Sequence, residues 1–336
     1  PGLADSDFTL IDVLGNKLHT AYSTTNWAYS FPKGNNDTGA DGTLFGSNLP
    51  EIPVSTIRVR GLGMDPSNAV AVLTILDEVT PVDPDAQAFF DAIDGAGGSL
   101  TSTEEDAVNT LVIDLKAASL WTPCQAIYPV VGGDAITHKF NLKDPQDDDT
   151  AFRLTFTGTH WIHSDDGMKP DGTADFADTH FIPETIGSIG GGNLVSRDDA
   201  HFSIYSRTDA FGGGANANKI DLGCTNLSPV LCIRPASIST TFQYNRPPND
   251  IDAVPPISDT LGLFTLSRES NVELEAYQDN VSVGVSTAAH HGALLSREIY
   301  LGASDTTGVA SNFSNRELAF ASIGTALTSG EVSSFY

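Results

Sequence analysis

The sequence predicts a mainly β protein: an antiparallel two-sheet sandwich preceded by a small mixed α/β N-terminal region with two short helices. The 336 residues include 31 glycines and 18 prolines, together with many Thr, Ser, Asn and Asp residues, as is typical of turn-rich β proteins. From Trp121 onward the apolar residues alternate with a period of 2, whereas the clearest helical stripes fall within residues 83–119. Many short strands without intervening helices favour two packed antiparallel sheets, which we expect over residues 126–323.

The first 82 residues combine short strand signals with one polar segment. Residues 8–14 are a short apolar run, residues 57–60 alternate as a strand does, and the β-branched content of residues 70–79 favours a strand. Residues 32–49 are rich in Gly, Asn and Asp and contain few apolar side chains. Because such a segment buries little apolar surface, we expect it to depend on a partner for order and to be cut first by protease in the isolated monomer.

Residues 83–119 are predicted to form two helices that connect the N-terminal region to the sandwich. In the first helix Asp83 is the N-cap and Pro84 the first helical residue, and the glycines after residue 94 end the helix. Its predicted buried face consists of Phe89, Phe90 and Ile93. The second helix begins at Thr101 or Ser102, each followed three residues later by a glutamate, as in a capping box. Its apolar stripe consists of Ala107, Val108, Leu111, Val112, Leu115 and Ala118.

The remaining residues are predicted to form the sandwich. Their strand segments share alternating apolar and polar residues and most are separated by Gly, Pro, Asn or Asp clusters; they are residues 150–157, 201–207, 261–266, 271–277, 280–286, 298–301 and 317–323. In the first of these the alternation places Phe152, Leu154 and Phe156 on one face. A final capping box, Thr328 with Glu331, predicts a helix near residue 336.

Five segments carry a resemblance to a known family, and they occur in the order found in that family. They read VIDLKAASLWTPCQAIYPVVGG (112–133), HKFNLKDPQDDDTAFRLTFTG (138–158), GTADFADT (172–179), HFSIYSRTD (201–209) and NRELAFASIGTALTSGEVSSFY (315–336). Together they resemble the laminin-G-like, concanavalin-A-like jelly-roll domains of bacteriophage virion structural proteins. The resemblance covers residues 83–336 and implies that the sandwich is a jelly roll.

The resemblance also implies a function. We expect a non-enzymatic virion component, either capsid-decorating or part of a tail or fibre, in which residues 1–82 provide attachment and oligomer contacts. Residues 83–119 would be a helical connector and residues 120–336 an outward-facing jelly-roll domain. Its partners would be other virion proteins and copies of itself. Two alternatives stay open because a fold does not determine a function: a glycan-binding module that recognises a host surface glycan, and a glycosidase of concanavalin-A-like fold.

The charge balance excludes several classes of partner. The 17 Lys and Arg residues against 43 Asp and Glu residues give a formal net charge of −26, and only seven of the basic residues are lysines. Binding to nucleic acid or to an anionic membrane surface needs clustered basic residues, so neither is expected. No apolar run approaches the ~20 residues of a membrane-spanning helix. Such an acid excess fits a virion surface in a high-salt environment, where counterions screen the self-repulsion; a generic acidic protein is the alternative.

One polar cluster is a candidate ligand-binding site. Trp161, His163, Asp165 and Asp166, together with His160, follow the strand predicted to end near residue 157. A loop tryptophan can stack on a sugar ring while His and Asp side chains bind its hydroxyl groups. The alternative is a turn whose tryptophan packs against the edge of the core.

A second cluster is a candidate metal site, and no other cofactor is expected. Asp144, Asp147, Asp148 and Asp149 offer the oxygen ligands that Ca²⁺ prefers, so a structural divalent cation such as calcium is the hypothesis here. They lack the spacing of an EF-hand loop, however, and adjacent carboxylates also occur simply as a solvated turn. Both interpretations stay open.

No catalytic residues are assigned. Glycosidases need two carboxylates about 5–9.5 Å apart, and only Glu273 and Glu275 share a strand face at suitable spacing. Ordinary solvated strand residues have the same pattern. The three cysteines, Cys124, Cys224 and Cys232, are too few for a disulfide framework, although a bridge between the last two is one option.

Overall fold

The computed structural model divides the chain into an N-terminal unit, Pro1–Pro81, and a C-terminal unit, Val82–Tyr336. The described residues are 8–11, 17–21, 57–61, 72–73, 82–188, 195–209, 218–226, 230–235, 241–246, 257–287, 289 and 293–336. The polar segment 32–49 lies outside them, so the expectation that it needs a partner stays a prediction. The predicted helical connector, residues 83–119, lies within the C-terminal unit, together with the sheets.

The N-terminal unit contains one antiparallel sheet. Its strands are β1 (Phe8–Ile11), β2 (Lys17–Ala21), β3 (Ile57–Gly61) and β4 (Val72–Leu73), in the order β2-β1-β3-β4. Strands β3 and β4 agree with the strands predicted at residues 57–60 and 70–79, although only two residues of the second segment are described as a strand, and β1 lies in the apolar run 8–14, for which no strand was predicted. Strand β2 carries a Lys and a His among its five residues and was not predicted.

The two predicted helices are confirmed with their caps. Helix α1 (Pro84–Gly95) begins after Asp83, whose carboxylate accepts a hydrogen bond from the amide of Asp85. Helix α2 (Ser102–Ala117) begins after Thr101, which forms a complete capping box with Glu104. The predicted apolar face of α1, Phe89, Phe90 and Ile93, is buried. Of the predicted stripe of α2, Val108, Val112 and Leu115 are buried and Leu111 is half-buried, whereas Ala107 and Ala118 are exposed. Among the described residues, no helix is long and apolar enough to cross a membrane.

Two eight-stranded sheets make up most of the C-terminal unit. The antiparallel sheet contains β5 (Cys124–Tyr128), β7 (Ile162–Ser164), β8 (Gly167–Lys169), β10 (Ala200–Ser206), β14 (Gly262–Ser270), β15 (Glu273–Gln278), β16 (Val281–Ser286) and β20 (Leu318–Gly324). The mixed sheet contains β6 (Thr155–Thr157), β9 (Phe176–Asp178), β11 (Leu222–Thr225), β12 (Val230–Arg234), β13 (Thr241–Arg246), β17 (Tyr300–Leu301), β18 (Ser304–Thr306) and β19 (Val309–Ser311). Short helices α3 (Ala135–His138), α4 (Pro183–Ser188) and α5 (Ser329–Phe335) complete the unit, and α5 starts at the predicted capping box.

The strand order shows why the prediction of two antiparallel sheets is only partly correct. The first sheet runs β16-β15-β14-β10-β20-β8-β7, with β5 also paired to β20, and all its pairs are antiparallel. The second runs β13-β12-β11-β17-β9-β6, but β18 pairs with β11 in parallel. The chain reverses between β17 and β18 at Gly302, whose φ of +76° is readily adopted only by glycine.

The sheets pack face to face through an inner core. From the antiparallel sheet, Phe202 contacts Tyr244 of the mixed sheet with ring centroids 4.9 Å apart, and Phe264 contacts Phe242 at 6.1 Å. This arrangement confirms a mainly β protein with two sheets and is consistent with a β-sandwich.

An outer core lies between the other face of the antiparallel sheet and the helices. It joins Phe89 of α1 and Val112 of α2 to Ile127, Tyr277 and Leu327. Strand β10 is buried along most of its length, because on the face that alternation assigned to solvent the His201 ring contacts Phe335 of α5, with centroids 6.0 Å apart. The polar residues there find internal partners, as when the Ser203 and Thr265 hydroxyls lie 3.0 Å apart.

The segment 150–157 differs most from its predicted strand. Asp148 caps a 3-10 turn over Asp149–Ala151, and Phe152 follows with a φ of +60°, so only Thr155–Thr157 are extended enough to pair. Of the three residues predicted to share one face, Leu154 is buried, whereas Phe152 and Phe156 are half-buried. A turn forms here instead of the strand that the alternation predicts, because the Asp148 carboxylate accepts hydrogen bonds from the backbone amides of Thr150 and Ala151.

Candidate functional site

Trp161 and His163 lie together at the edge of the inner core. The Trp161 indole is half-buried, donates a hydrogen bond from Nε1 to the Thr157 carbonyl oxygen (2.9 Å), and stacks on the His163 ring at 5.8 Å. Phe156 contacts both rings, at 5.2 Å and 4.8 Å. The tryptophan thus packs against the core edge, and stacking of a sugar on this residue stays a prediction.

His163 has a partner that the sequence did not indicate. Its Nδ1 lies 2.9 Å from Nδ1 of His138, at the end of α3, so one ring must donate its proton to the other. His138 is buried, and burial together with the neighbouring His163 lowers its pKa to about 4. Burial also lowers the pKa of His163. At neutral pH the pair is therefore uncharged.

Asp165 and Asp166 have different neighbours. A side chain on Gly133 would collide with Oδ1 of Asp165, so this carboxylate lies directly against the backbone of the loop before α3. Asp166 is exposed, and its Oδ1 accepts a hydrogen bond from Arg207 at 3.3 Å. The structure therefore brings together two of the four predicted ligand-binding residues, whereas Asp165 lies against Gly133 and Asp166 pairs with Arg207.

Each of the four aspartates of the predicted calcium site has a partner within the protein. Asp147 forms ion pairs with Lys139 and Arg153, both at 2.8 Å, and these hydrogen bonds lower its pKa. Arg153 also binds Asp149, at 3.0 Å. Asp148 caps the 3-10 turn and Asp144 accepts a hydrogen bond from Gln146. Two cationic side chains already neutralise part of this cluster, and its four carboxylates do not converge on one point.

Two other groups of His and acidic residues have ligand atoms that all lie within 4.8 Å of one another. The first joins His160 to Asp171 and Asp175: Nδ1 of the histidine is 3.7 Å from Asp171 Oδ2 and 3.9 Å from Asp175 Oδ1. The Asp175 side chain is fully buried. Gly158, with a φ of +98°, makes room for it, because a Cβ there would overlap Asp175 Oδ1.

Asp171 is fixed by its own loop. Its Oδ1 accepts hydrogen bonds from the amides of Thr173, Ala174 and Asp175 at 2.8–3.1 Å. Burial opposes its ionisation, but these bonds and the Thr173 hydroxyl outweigh burial and hold its pKa far below the usual range. Asp171 is thus charged at any ordinary pH, with Oδ2 towards the exposed His160 ring.

The second group joins Asp178 and His180 to Glu298. His180 Nδ1 lies 3.8 Å from Asp178 Oδ2 and 4.0 Å from Glu298 Oε1, while its Nε2 is 3.3 Å from Asp149 Oδ1. Burial raises the pKa of Asp178 to about 7, with further contributions from Glu298 and from Asp305. One imidazole and two carboxylates suit Zn²⁺ or Mn²⁺ better than Ca²⁺, which takes oxygen ligands only.

The Glu273–Glu275 pair lies on β15. Glu273 is exposed and Glu275 is half-buried, opposite Ser267 of β14 and Val285 of β16 in the ladders. Burial and the charges of these two glutamates raise the pKa of nearby Glu269, which the sequence did not single out. The three carboxylates are the feature that the glycosidase alternative would have to use.

The three cysteines are buried, and none of them forms a disulfide. In the β11–β12 ladder Cys224 pairs with Leu231 and Cys232 pairs with Gly223, so their side chains point to opposite faces of the sheet and do not form the bridge left open above. Burial raises the pKa of Cys232 and of Cys124 to about 12.

Comparison with known proteins supplies similar structures only. No protein-family model matches the sequence, and no curated protein matches it either. Domain 4 of AbnA, a GH43 extracellular arabinanase from Geobacillus stearothermophilus, solved with arabinotriose, is 13% identical, with a TM-score of 0.41, over 63% of this chain and 97% of that chain. Trypanosoma rangeli sialidase is 11% identical, with a TM-score of 0.33, over 54% of this chain and 28% of the sialidase. The botulinum neurotoxin serotype D binding domain is 9% identical, with a TM-score of 0.38, over 64% and 51% of the two chains. Similarities this weak carry no inference about activity.

Proposed function

We propose that the protein is a non-enzymatic structural component of a bacteriophage virion, capsid-decorating or part of a tail or fibre, with an outward-facing concanavalin-A-like jelly-roll domain. The observation that carries the proposal is the set of five segments between residues 112 and 336 that resemble such domains in sequence and order. The two-sheet C-terminal unit, with its inner and outer cores, is the kind of rigid body that such a role requires.

The charge of the chain supports a place on a particle surface in a salt-rich medium. The net charge is −26, and two of the ten arginines, Arg268 and Arg316, are fully buried, which leaves the surface with still fewer cations. Copies can then pack only where counterions or divalent cations screen the carboxylates. The N-terminal unit would supply the attachment and the contacts between copies.

Imaging of purified particles tests the proposal. A peptide tag placed at Thr307–Gly308, in the exposed turn between β18 and β19, should be labelled by tag-specific antibody fragments at regular positions on intact particles. Mass spectrometry should find the chain in particles after banding in a density gradient. A protein that stays in the lysate and is missing from infectious particles would overturn the proposal.

A further inference from the structure

A pocket of about 420 Å³ opens at one edge of the antiparallel sheet, away from the residues considered so far. It lies between the β15–β16 hairpin and the segment before β14, and Tyr205 and Tyr336 are among the residues that line it. Its volume falls within the 300–1,000 Å³ that is common for sites of small ligands.

Hydrogen bonds preorganise the polar side of this pocket. Gln278 donates from Nε2 to Asp259 Oδ1 and to the Leu261 carbonyl oxygen, both at 2.9 Å, so its amide protons are used and its Oε1 is left to accept. Asp279 Oδ1 accepts from the amide of Leu263 at 2.9 Å. Among the described residues, neither Gln278 Oε1 nor Asp279 Oδ2 has a hydrogen-bond partner. The pocket therefore offers acceptors held in fixed positions, which suits a ligand that donates hydrogen bonds.

The apolar side of the pocket exposes large side chains to water. Val281 is 63% exposed and Leu261 is 41% exposed, and both line the pocket together with Val283 and the two tyrosines. Tyrosine rings provide flat apolar faces with hydroxyl groups at their edges. A ligand that covers these side chains must have an apolar face as well as hydrogen-bond donors.

We propose that this pocket binds an uncharged hexose unit of a glycan. Vicinal hydroxyl groups would donate to Asp279 Oδ2 and Gln278 Oε1, while the C–H face of the sugar ring would pack on the tyrosines and Val281. Asp259 and Asp279, in a chain of net charge −26, disfavour anionic sugars such as sialic or uronic acids. A bare cation would leave the apolar side uncovered. The site differs from the Trp161 cluster and goes beyond the proposed structural role.

Saturation-transfer NMR and calorimetry on the full chain test the proposal, with glucose, galactose, mannose and N-acetylneuraminic acid as probes. At least one neutral hexose should bind with a Kd on the order of 1 mM, as expected for a single sugar, and the sialic acid should bind much more weakly. Purified host polysaccharide and a glycosylated virion protein, added as competitors, distinguish the two sources of such a hexose.

Two variants with one matched control locate the site. Val281→Lys should weaken binding by about tenfold or more, because it removes an apolar contact at the pocket. Val309→Lys makes the same change at a valine that is 68% exposed on the other sheet, and should leave the affinity unchanged. Asp279→Asn keeps the Oδ1 acceptor for Leu263 and should also weaken binding about tenfold. Absence of binding by every neutral hexose, equal binding of sialic acid, or equal affinities for Val281→Lys and Val309→Lys would each overturn the proposal.

Discussion

Removal of one partner from the buried ion pair between Asp221 and Arg316 should destabilise the C-terminal unit by about 3–5 kcal/mol. Both side chains are completely inaccessible, and Nη1 of the arginine lies 2.9 Å from Oδ1 of the aspartate. Asp221 precedes β11 in the mixed sheet, and Arg316 precedes β20 in the antiparallel sheet, so the pair connects the two layers. In Arg316→Met the buried carboxylate would lose the countercharge that is hydrogen-bonded to it, and the carbonyl oxygen of Pro235 would lose its donor.

The magnitude can be measured against an exposed pair in the same unit. Asp166 and Arg207 lie 3.3 Å apart, but their side chains are 75% and 48% exposed, so Asp166→Asn should cost no more than about 1 kcal/mol. Urea unfolding followed by circular dichroism gives both free energies of unfolding. In thermal unfolding Arg316→Met should lower the Tm by roughly 10 °C, since about 1 kcal/mol corresponds to about 2–4 °C at this size.

Salt and a double variant separate the electrostatic argument from simple loss of packing. Salt at ~2 M should abolish the effect of Asp166→Asn and leave that of Arg316→Met, because buried charges are hardly screened. Asp221→Asn combined with Arg316→Met should be less destabilised than Arg316→Met alone. If Arg316→Met costs less than about 1 kcal/mol, or no more than Asp166→Asn, the buried pair is not the tie between the layers that its geometry indicates.

Four further predictions concern charge, pH, thiols and turnover. Assemblies should loosen in low salt with a chelator, because the Debye length rises to ~30 Å and copies that each carry a net charge of −26 then repel one another more strongly. Unchanged light scattering would contradict this. Burial lowers the pKa of His138 and of His201 to about 4, so the unfolded chain takes up protons first and each histidine should cost about 2 kcal/mol at pH 5, whereas the pKa of Asp178, raised to about 7, acts in the opposite direction; Asp178→Asn should therefore steepen the fall in the free energy of urea unfolding between pH 7 and 5, and an unchanged slope would refute the assignment. The three buried thiols should react with a thiol reagent only after unfolding, and fast reaction in native buffer would show that they are accessible. Host surface polysaccharide should yield no new reducing ends; release that disappears in Glu273→Gln or Glu275→Gln would make the protein a glycosidase.

The local structure of this protein follows closely from its sequence. Asp83, Thr101 and Thr328 mark helix starts correctly because a cap binds amides two or three residues away, so every partner is visible in a short window. The strands β10, β14 and β20 were also identifiable, because the alternation of apolar and polar residues is visible within a few consecutive positions. Where two local signals competed, as at Asp148 and Phe152, the cap prevailed over the alternation.

The candidate site was predictable only in part. Trp161 and His163 were selected together because they are close in sequence, and they do stack. His138, which shares a proton with His163, lies 25 residues away and gave no signal. Similarly, nothing in the sequence associates Glu298 with His180.

The sequence by itself determined that the chain is acidic and mainly β, where most helices and several strands begin, and which side chains are apolar. Only the tertiary structure decided that β18 runs parallel to β11, that Phe335 of α5 contacts the second face of β10, and that Tyr205 shares a pocket with Tyr336. The physical reason is how far apart the interacting residues lie along the chain. Caps and periodicity depend on hydrogen bonds and side-chain directions within a few residues, whereas strand pairing, burial of charges and pocket formation depend on contacts between residues tens or hundreds of positions apart.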